Sequence, residues 1–224
     1  MNNKQKREII FASILGDGYI SNEKNQHRLC IGHGKDQLDY LNWKISLINS
    51  TGKLKECNSI NRSIVEFNGK KFVQYRAYWF GKKVLRLYYK RFYNRGHKTV
   101  AKVLKYLNSP LVLAMWFMDD GSVFKRKRRH KDGTEYFLRP SLKLCTHSYS
   151  KSDNEAILGW LEQTYGIKGY ITIERKRNCI ASPEYYTLNF NAGESLKIWN
   201  LIKTYVVQIR SMQKKFSYMI EYYG

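Results

Sequence analysis

Acidic side chains are scarce in this 224-residue chain: 18 Asp and Glu stand against 40 Lys and Arg, giving a formal charge of +22 and a sequence pI near 9.8. That is far from the balance of an ordinary cytosolic enzyme and points to a polyanionic partner. No segment joins a clean apolar face to a cationic one as a membrane-lying helix does, which favours nucleic acid over an anionic lipid surface. Long apolar runs are missing too, none approaching the roughly 18 residues of a membrane span. The N-terminal "MNNKQKREIIFASILGDG" lacks a small-residue cleavage site and is not read as a secretory signal. The protein is therefore expected to work where it is translated, in a bacterial or phage-infected cytoplasm or in an organelle. Cysteines are few, and Cys30, Cys57, Cys145 and Cys179 show no CxxC spacing, so they read as reduced thiols and not as a zinc site. The five histidines have no metal-ligand spacing either; His33 and His147 are read equally as DNA-facing or as satisfied structural residues.

Apolar residues make up 43% of the chain, with 18 Tyr, 10 Phe and 5 Trp, enough for one sizeable core or two smaller ones. Residues 4 to 16 read as a helix stopped by Gly16-Asp17-Gly18. "HRLCIGH" (27 to 33) and "KFVQYRAYWF" (71 to 80) alternate as strands, while "DQLDYLNWKISLINSTG" (36 to 52) and "KKVLRLYYKRFY" (82 to 93) have helical spacing. The second half repeats this order. Pro110 opens a helix through "LVLAMWFMD", "KDGT" (131 to 134) signals a hairpin turn, and "LKLCTH" (142 to 147) is strand-like. "KSDNEAILGWLEQTYG" (151 to 166) is a helix with acids in its first turn and a glycine after its end; the strand pair "YITIERK" and "YYTLNFN" and the helix "ESLKIWNLIKTYV" follow.

"SILGDGYI" (13 to 20) and "WFMDDGS" (116 to 122) both end an apolar run in Asp-Gly, and Asp17 and Asp120 lie 103 residues apart, close to half the chain. A repeat of this length implies a duplicated subdomain with pseudo-two-fold symmetry. Residues 1–98 and 110–224 form the two repeats, and residues 99–109 the linker. The Asp-Gly helices would meet at the axis, where bulky Phe11 corresponds to Ala114 and small Ala12 to Met115, exchanges that allow close packing. Two carboxylates converging there would repel each other unless a divalent metal lay between them, and hard oxygen donors suit Mg2+. A single Asp-Gly after a helix would read only as a cap; two at equivalent places favour chemistry.

These residues resemble the two motifs of single-chain LAGLIDADG homing endonucleases, with "IFASILGDG" (10 to 18) as one copy and "LAMWFMDDG" (113 to 121) as the other. The nine-letter name matches loosely; the apolar helix and terminal Asp-Gly carry the likeness, and the element order extends it over nearly the whole chain. The resemblance implies an α+β fold of duplicated αββαββα repeats whose antiparallel sheets form a DNA-binding saddle. It implies a metal-dependent endodeoxyribonuclease using Mg2+, with Mn2+ substituting. Asp17 and Asp120 would be metal ligands and catalytic, with the carbonyls of Gly16 and Asp119 completing the coordination. "GHKTVAKVL" places the first repeat's basic residue at Lys98, and "IRSMQKKF" places the second's at Lys215, with Lys214 the alternative.

Strand alternation suggests which side chains face the groove. Gln74, Arg76 and Tyr78 share one face, with arginine suited to guanine and glutamine to adenine. Thr187, Asn189 and Asn191 share another, and Lys143 joins the DNA-binding set. "FKRKRRHKDGTEYF" (124 to 137) reads as a hairpin along the duplex with Lys125, Lys127 and Arg129 on one side. The expected function is site-specific double-strand cleavage of a long asymmetric DNA target by a monomer, promoting intron or intein mobility. The alternatives are an RNA maturase of the same fold, partnered by host intron RNA, and a noncatalytic DNA-binding protein.

Overall fold

The structure, a computed structural model, describes residues 1–23, 26–67, 69–174 and 184–224. The first repeat runs α1 (Asn3–Leu15), β1 (Tyr19–Glu23), β2 (Gln26–Gly34), α2 (Leu38–Asn49), β3 (Asn61–Phe67), β4 (Lys70–Phe80) and α3 (Lys82–Phe92), then a two-strand turn, β5 (Tyr93–Asn94) and β6 (His97–Lys98). The second runs α4 (Pro110–Asp120), β7 (Gly121–Phe124), a ribbon of β8 (Lys127–Arg129) and β9 (Glu135–Phe137), β10 (Ser141–Cys145), α5 (Lys151–Tyr165), β11 (Tyr170–Glu174), β12 (Tyr185–Asn189) and α6 (Ala192–Val206). Two short helices close the chain, α7 (Arg210–Lys215) and α8 (Ser217–Tyr223). The sheets have matching antiparallel orders, β1-β2-β4-β3 and β7-β10-β12-β11, which is the expected duplicated α+β architecture.

Helices α1 and α4 pack on each other at the centre. Residues Glu8–Leu15 and Val112–Met118 are all buried, so each helix is enclosed on every side where it runs between the repeats, with Glu8 accepting the Asn108 amide at 3.1 Å. An Asn2–Gln5 capping box starts α1, and Pro110 fills the first turn of α4, where its missing N–H is not needed. Phe11 meets Tyr88 and Phe92 of its own repeat edge-on at 4.8 and 5.0 Å, and Trp116 lies against Tyr149 and Trp160 of its own. A close small-against-large contact falls one turn later than Phe11 and Ala12, where Gly16 faces Asp119.

The segment 99–109 is no loose tether. Val100, Val103 and Leu107 are fully buried; Thr99 and the Val100 amide bind the Asp153 carboxylate at 2.7 and 3.0 Å, and Trp160 donates to the Leu107 carbonyl. Asp153 thereby joins the linker to the capped start of α5, where its carboxylate also accepts the Ser150 hydroxyl at 2.7 Å. The "YITIERK" strand ends at Glu174; Arg175, Lys176 and Cys179 lie outside the described residues. Among the described residues Cys30, Cys57 and Cys145 are free thiols, and no helix is long and apolar enough to cross a membrane.

Candidate active site

Helix α1 ends at Leu15 and α4 at Asp120, and beyond each the equivalent glycines Gly18 and Gly121 let the chain fold tightly against the preceding turn: an added Cβ would lie 2.2 Å from the Ser13 carbonyl oxygen and 2.4 Å from that of Phe117. One half-buried lysine serves each end. Lys98 donates to the carbonyls of Gly16 and Gly18 at 3.0 and 3.1 Å, and Lys215 to those of Met118 and Asp119 at 2.7 and 2.8 Å. Both supply positive charge where a helix C-terminus leaves unpaired carbonyls. The β5–β6 turn, with Arg95 at φ 49° and Gly96 at φ 84°, delivers Lys98; α7, whose Ser211 amide donates to Asp39 at 2.8 Å, delivers Lys215. Lys214 is exposed and carries no such bond. The Gly16 and Asp119 carbonyls are thus engaged by ammonium groups, each keeping a lone pair for another partner.

The doubled acid of "DDG" divides into two environments. The Asp119 side chain turns inward: its Oδ2 accepts the Asp17 amide at 3.0 Å, and its Oδ1 accepts Lys44 Nζ at 2.5 Å and the Tyr40 hydroxyl at 2.8 Å. Lys44 and Asp119 have fully buried side chains. Burial alone would raise the Asp119 carboxyl, but the Lys44 charge and its bonds hold it below the usual range. His33, 3.4 Å from Lys44 Nζ and 3.7 Å from Asp17 Oδ2, is pulled down to about 4 by burial and then by Lys44, and is neutral near pH 7. Asp17, His33 and Asp119 come close enough to suggest a metal trio. The ammonium of Lys44 already fills the cation's place on Asp119, which rules against that grouping.

Asp17 and Asp120 are different. Among the described residues the Asp120 carboxylate accepts no hydrogen bond, and Asp17, partly open to solvent, has neutral His33 at 3.7 Å while the charges of Lys44, Lys215 and Lys98 offset its burial only in part. Asp17 is pushed up to about 6 by burial and then by Asp119; Asp120 is pushed up to about 7 by burial, Asp119 and Asp17. Burial draws Lys98 down to about 8 and lowers Lys215, against the pull of the acids. Two incompletely neutralised carboxylates beside two helix-end carbonyls are hard oxygen donors of the kind Mg2+, Mn2+ or Ca2+ takes. The donor set fits a divalent cation.

On the first sheet Gln74, Arg76 and Tyr78 lie on the half-open face, while Ala77 and Trp79 are fully buried and Tyr75 packs against the core, as the alternation predicts. On the second, Leu188 and Phe190 turn inward, but Thr187 and Asn189 are closed off as well. Asn189 Nδ2 donates to Thr172 and Thr187 at 2.8 and 3.4 Å. Asn191 departs from its expected role: it is the N-cap of α6, its side chain accepting the Glu194 amide at 2.9 Å, because the strand has already ended at Asn189. Lys143 is held by Glu174 at 2.9 Å, and His147 reaches the same carboxylate at 3.2 Å. The ribbon forms about the Asp132-Gly133 turn, with Gly133 at φ 88°, and places Lys127 and Arg129 on one side, both paired with Glu135. Lys125 instead lies 4.7 Å from the rings of Phe137 and Tyr218.

Tyr40 and Lys44 are site residues that sequence reasoning missed. Their signal is a tyrosine and a lysine four apart on the buried stripe of α2, with Leu41 and Ile48. Tyr149, whose hydroxyl donates to the Leu15 carbonyl at 2.7 Å, adds a contact from the second repeat to the end of α1.

A sequence profile described as the LAGLIDADG DNA endonuclease family matches residues 7–198. Lys215 lies beyond that stretch. The chain is 28% identical over 168 residues to a "Protein RecA" of Mycobacterium shimoidei, covering 73% of this chain and 36% of the relative. It is 29% identical over 181 residues to "Cytochrome b mRNA maturase bI2" of Saccharomyces cerevisiae, covering 76% and 39%. The chain thus spans well under two thirds of the curated relatives it matches. Among solved structures, the homing endonuclease I-WcaI bound to its DNA recognition sequence superposes with a TM-score of 0.71 at 20% identity, covering 95% of this chain and 86% of that one. I-DmoI in complex with DNA and Ca superposes at 0.50 and 15% identity, covering 90% and 91%. Both likenesses are of fold.

Proposed function

Because the chain belongs to the LAGLIDADG DNA endonuclease family, we propose that it is a site-specific endonuclease hydrolysing both strands of a long asymmetric DNA target with divalent metal, Mg2+ in the cell and Mn2+ as a substitute. The observation that carries this reading is the pair of raised carboxyls, Asp17 and Asp120, at adjoining helix ends, each end flanked by a half-buried lysine that donates to its carbonyls. In this reading Asp17 and Asp120 hold the cation, and the Gly16 and Asp119 carbonyls contribute through their remaining lone pairs. A divalent metal held there would supply an activated water and neutralise charge developing on the phosphate. Lys98 and Lys215 orient that water and add positive charge beside the scissile phosphate. The +22 charge gathers the duplex, and residues 1–98 and 110–224 each grip one half-site through their sheets. Unlike repeats favour an asymmetric target and action as a monomer.

The RecA relatives, matched over 14 to 45% of their lengths, support mobility of an inserted element such as an intein, and the yeast relative supports an intron host with an added RNA-binding role. Incubation with Mg2+ and an uninterrupted copy of the host gene tests the reading: one double-strand cut is expected, lost in Asp17→Asn and Asp120→Asn with DNA binding kept. Binding without cleavage in Mg2+ and in Mn2+ would overturn it. Splicing of the host intron that depends on the protein, with no DNA cut, would establish the maturase reading instead.

A further inference from the structure

The half-open face of the first sheet carries a contact that changes what it can recognise. Arg76 donates to the same oxygen of Gln74 twice, from Nε at 3.0 Å and from Nη2 at 2.7 Å. A guanidinium only donates, so the bonded atom of Gln74 must be its carbonyl oxygen, and the amide cannot flip while the pair holds. The space that permits this is at Gly32, opposite Arg76 on β2. A Cβ there would stand 3.1 Å from Gln74 Nε2 and 3.3 Å from Arg76 Cγ.

Adenine is read by glutamine through two bonds at once, the amide N–H to N7 and the carbonyl oxygen from the N6 amino group. In Gln74 that oxygen is already taken. What remains for the groove is the Gln74 NH2 and the other N–H groups of Arg76, which are donors without an acceptor. In the major groove guanine offers two neighbouring acceptors, N7 and O6, and thymine offers O4, whereas the amino group of adenine or cytosine would meet a second donor. Resting on the DNA-cleaving reading above, we propose that Gln74 and Arg76 act as one donor-only unit specifying guanine at one base and guanine or thymine at its neighbour. This replaces the separate arginine-to-guanine and glutamine-to-adenine readings that the strand pattern suggests.

Gln74→Glu separates the possibilities. The variant keeps an acceptor for Arg76 but turns the outward donor into an acceptor. Duplexes bound from a pool with the target region randomised, held in Ca2+, are recovered and sequenced. The wild type is expected to enrich guanine beside guanine or thymine in one half-site. Gln74→Glu should shift the second column to cytosine or adenine by about tenfold and leave the first column intact. Arg76→Ala should relax the guanine column and, with the Gln74 oxygen released, bring in adenine. Thermal unfolding confirms that the variants are folded; if Gln74→Glu is not, Gln74→Met serves, with the second column expected to lose its preference. Adenine in the wild-type column lost in Gln74→Glu, or no column changed by a folded Gln74 variant, would overturn the proposal. Enrichment of no sequence by the wild type would overturn the site-specific reading instead.

Discussion

The Asp119 carboxylate, contributed by the second repeat, accepts the backbone amide of Asp17 in the first at 3.0 Å while bonded to buried Lys44 and Tyr40. Asp17, the acid proposed to hold metal in the first repeat, is therefore held by its neighbour's side chain. Lys44→Met should leave Asp119 buried without its cation and destabilise the fold by about 3–5 kcal/mol. Replacing both in Lys44→Met/Asp119→Leu should recover much of that in urea unfolding, yet still cleave slowly because Asp17 has lost its anchor. Equal recovery of stability and cleavage would contradict the positioning role.

Asp120, pushed up to about 7, contributes a pH dependence of definite sign. A carboxyl whose folded pKa is raised favours folding below its unfolded value near 3.8, and that contribution is lost as pH rises through about 7. In metal-free buffer Asp120→Asn should therefore gain stability over the wild type progressively from pH 4 to 8. Parallel unfolding midpoints across that range would refute it.

Divalent metal should reverse the same penalty. Protons compete with the cation at Asp17 and Asp120, so Mg2+ affinity by calorimetry should strengthen as pH rises through about 6 to 7 and level off above. In Asp120→Asn this rise should flatten.

Lys98→Met and Lys215→Met should each slow single-turnover cleavage by ten- to a hundredfold, roughly, with DNA affinity nearly unchanged. Lys214→Met, altering an exposed neighbour, should leave the rate near that of the wild type. A larger effect at Lys214 would transfer the assignment to it.

Asn191→Ala should destabilise the protein by about 1 kcal/mol through the lost cap on α6 without changing any base preference. Lys127→Ser with Arg129→Ser should weaken binding to all sequences alike, reducing the logarithmic salt slope by up to about 2. Both effects are read by filter binding across salt and by thermal unfolding.

What the sequence revealed follows from which forces act locally. The helix ends, the alternation of Tyr75, Ala77 and Trp79, and the turns at Gly133 and Gly166 are local matters of period and backbone freedom, and were legible. Lys98 and Lys215 were legible only through family resemblance, since forty cations offer no spacing that selects two. Lys44 was not legible, because its partner lies 75 residues away and its burial depends on that partner. At Asn191 the side-chain alternation continues past the last strand residue, where the backbone has already turned to start a helix, and period alone does not mark that turn. The Gln74–Arg76 contact depends on an empty place on the facing strand, which a single-strand reading does not register.

The meeting of Gly16 with Asp119 also bears on ancestry. If the repeats descend from a symmetric pair, the chain has passed a point of no easy return. Two copies of the first repeat would set glycine against glycine and leave Lys44 buried without an acid. Two copies of the second would press two Asp119 side chains into space that exists only because Gly16 lacks a Cβ. At this contact each half is shaped for the other and not for a copy of itself.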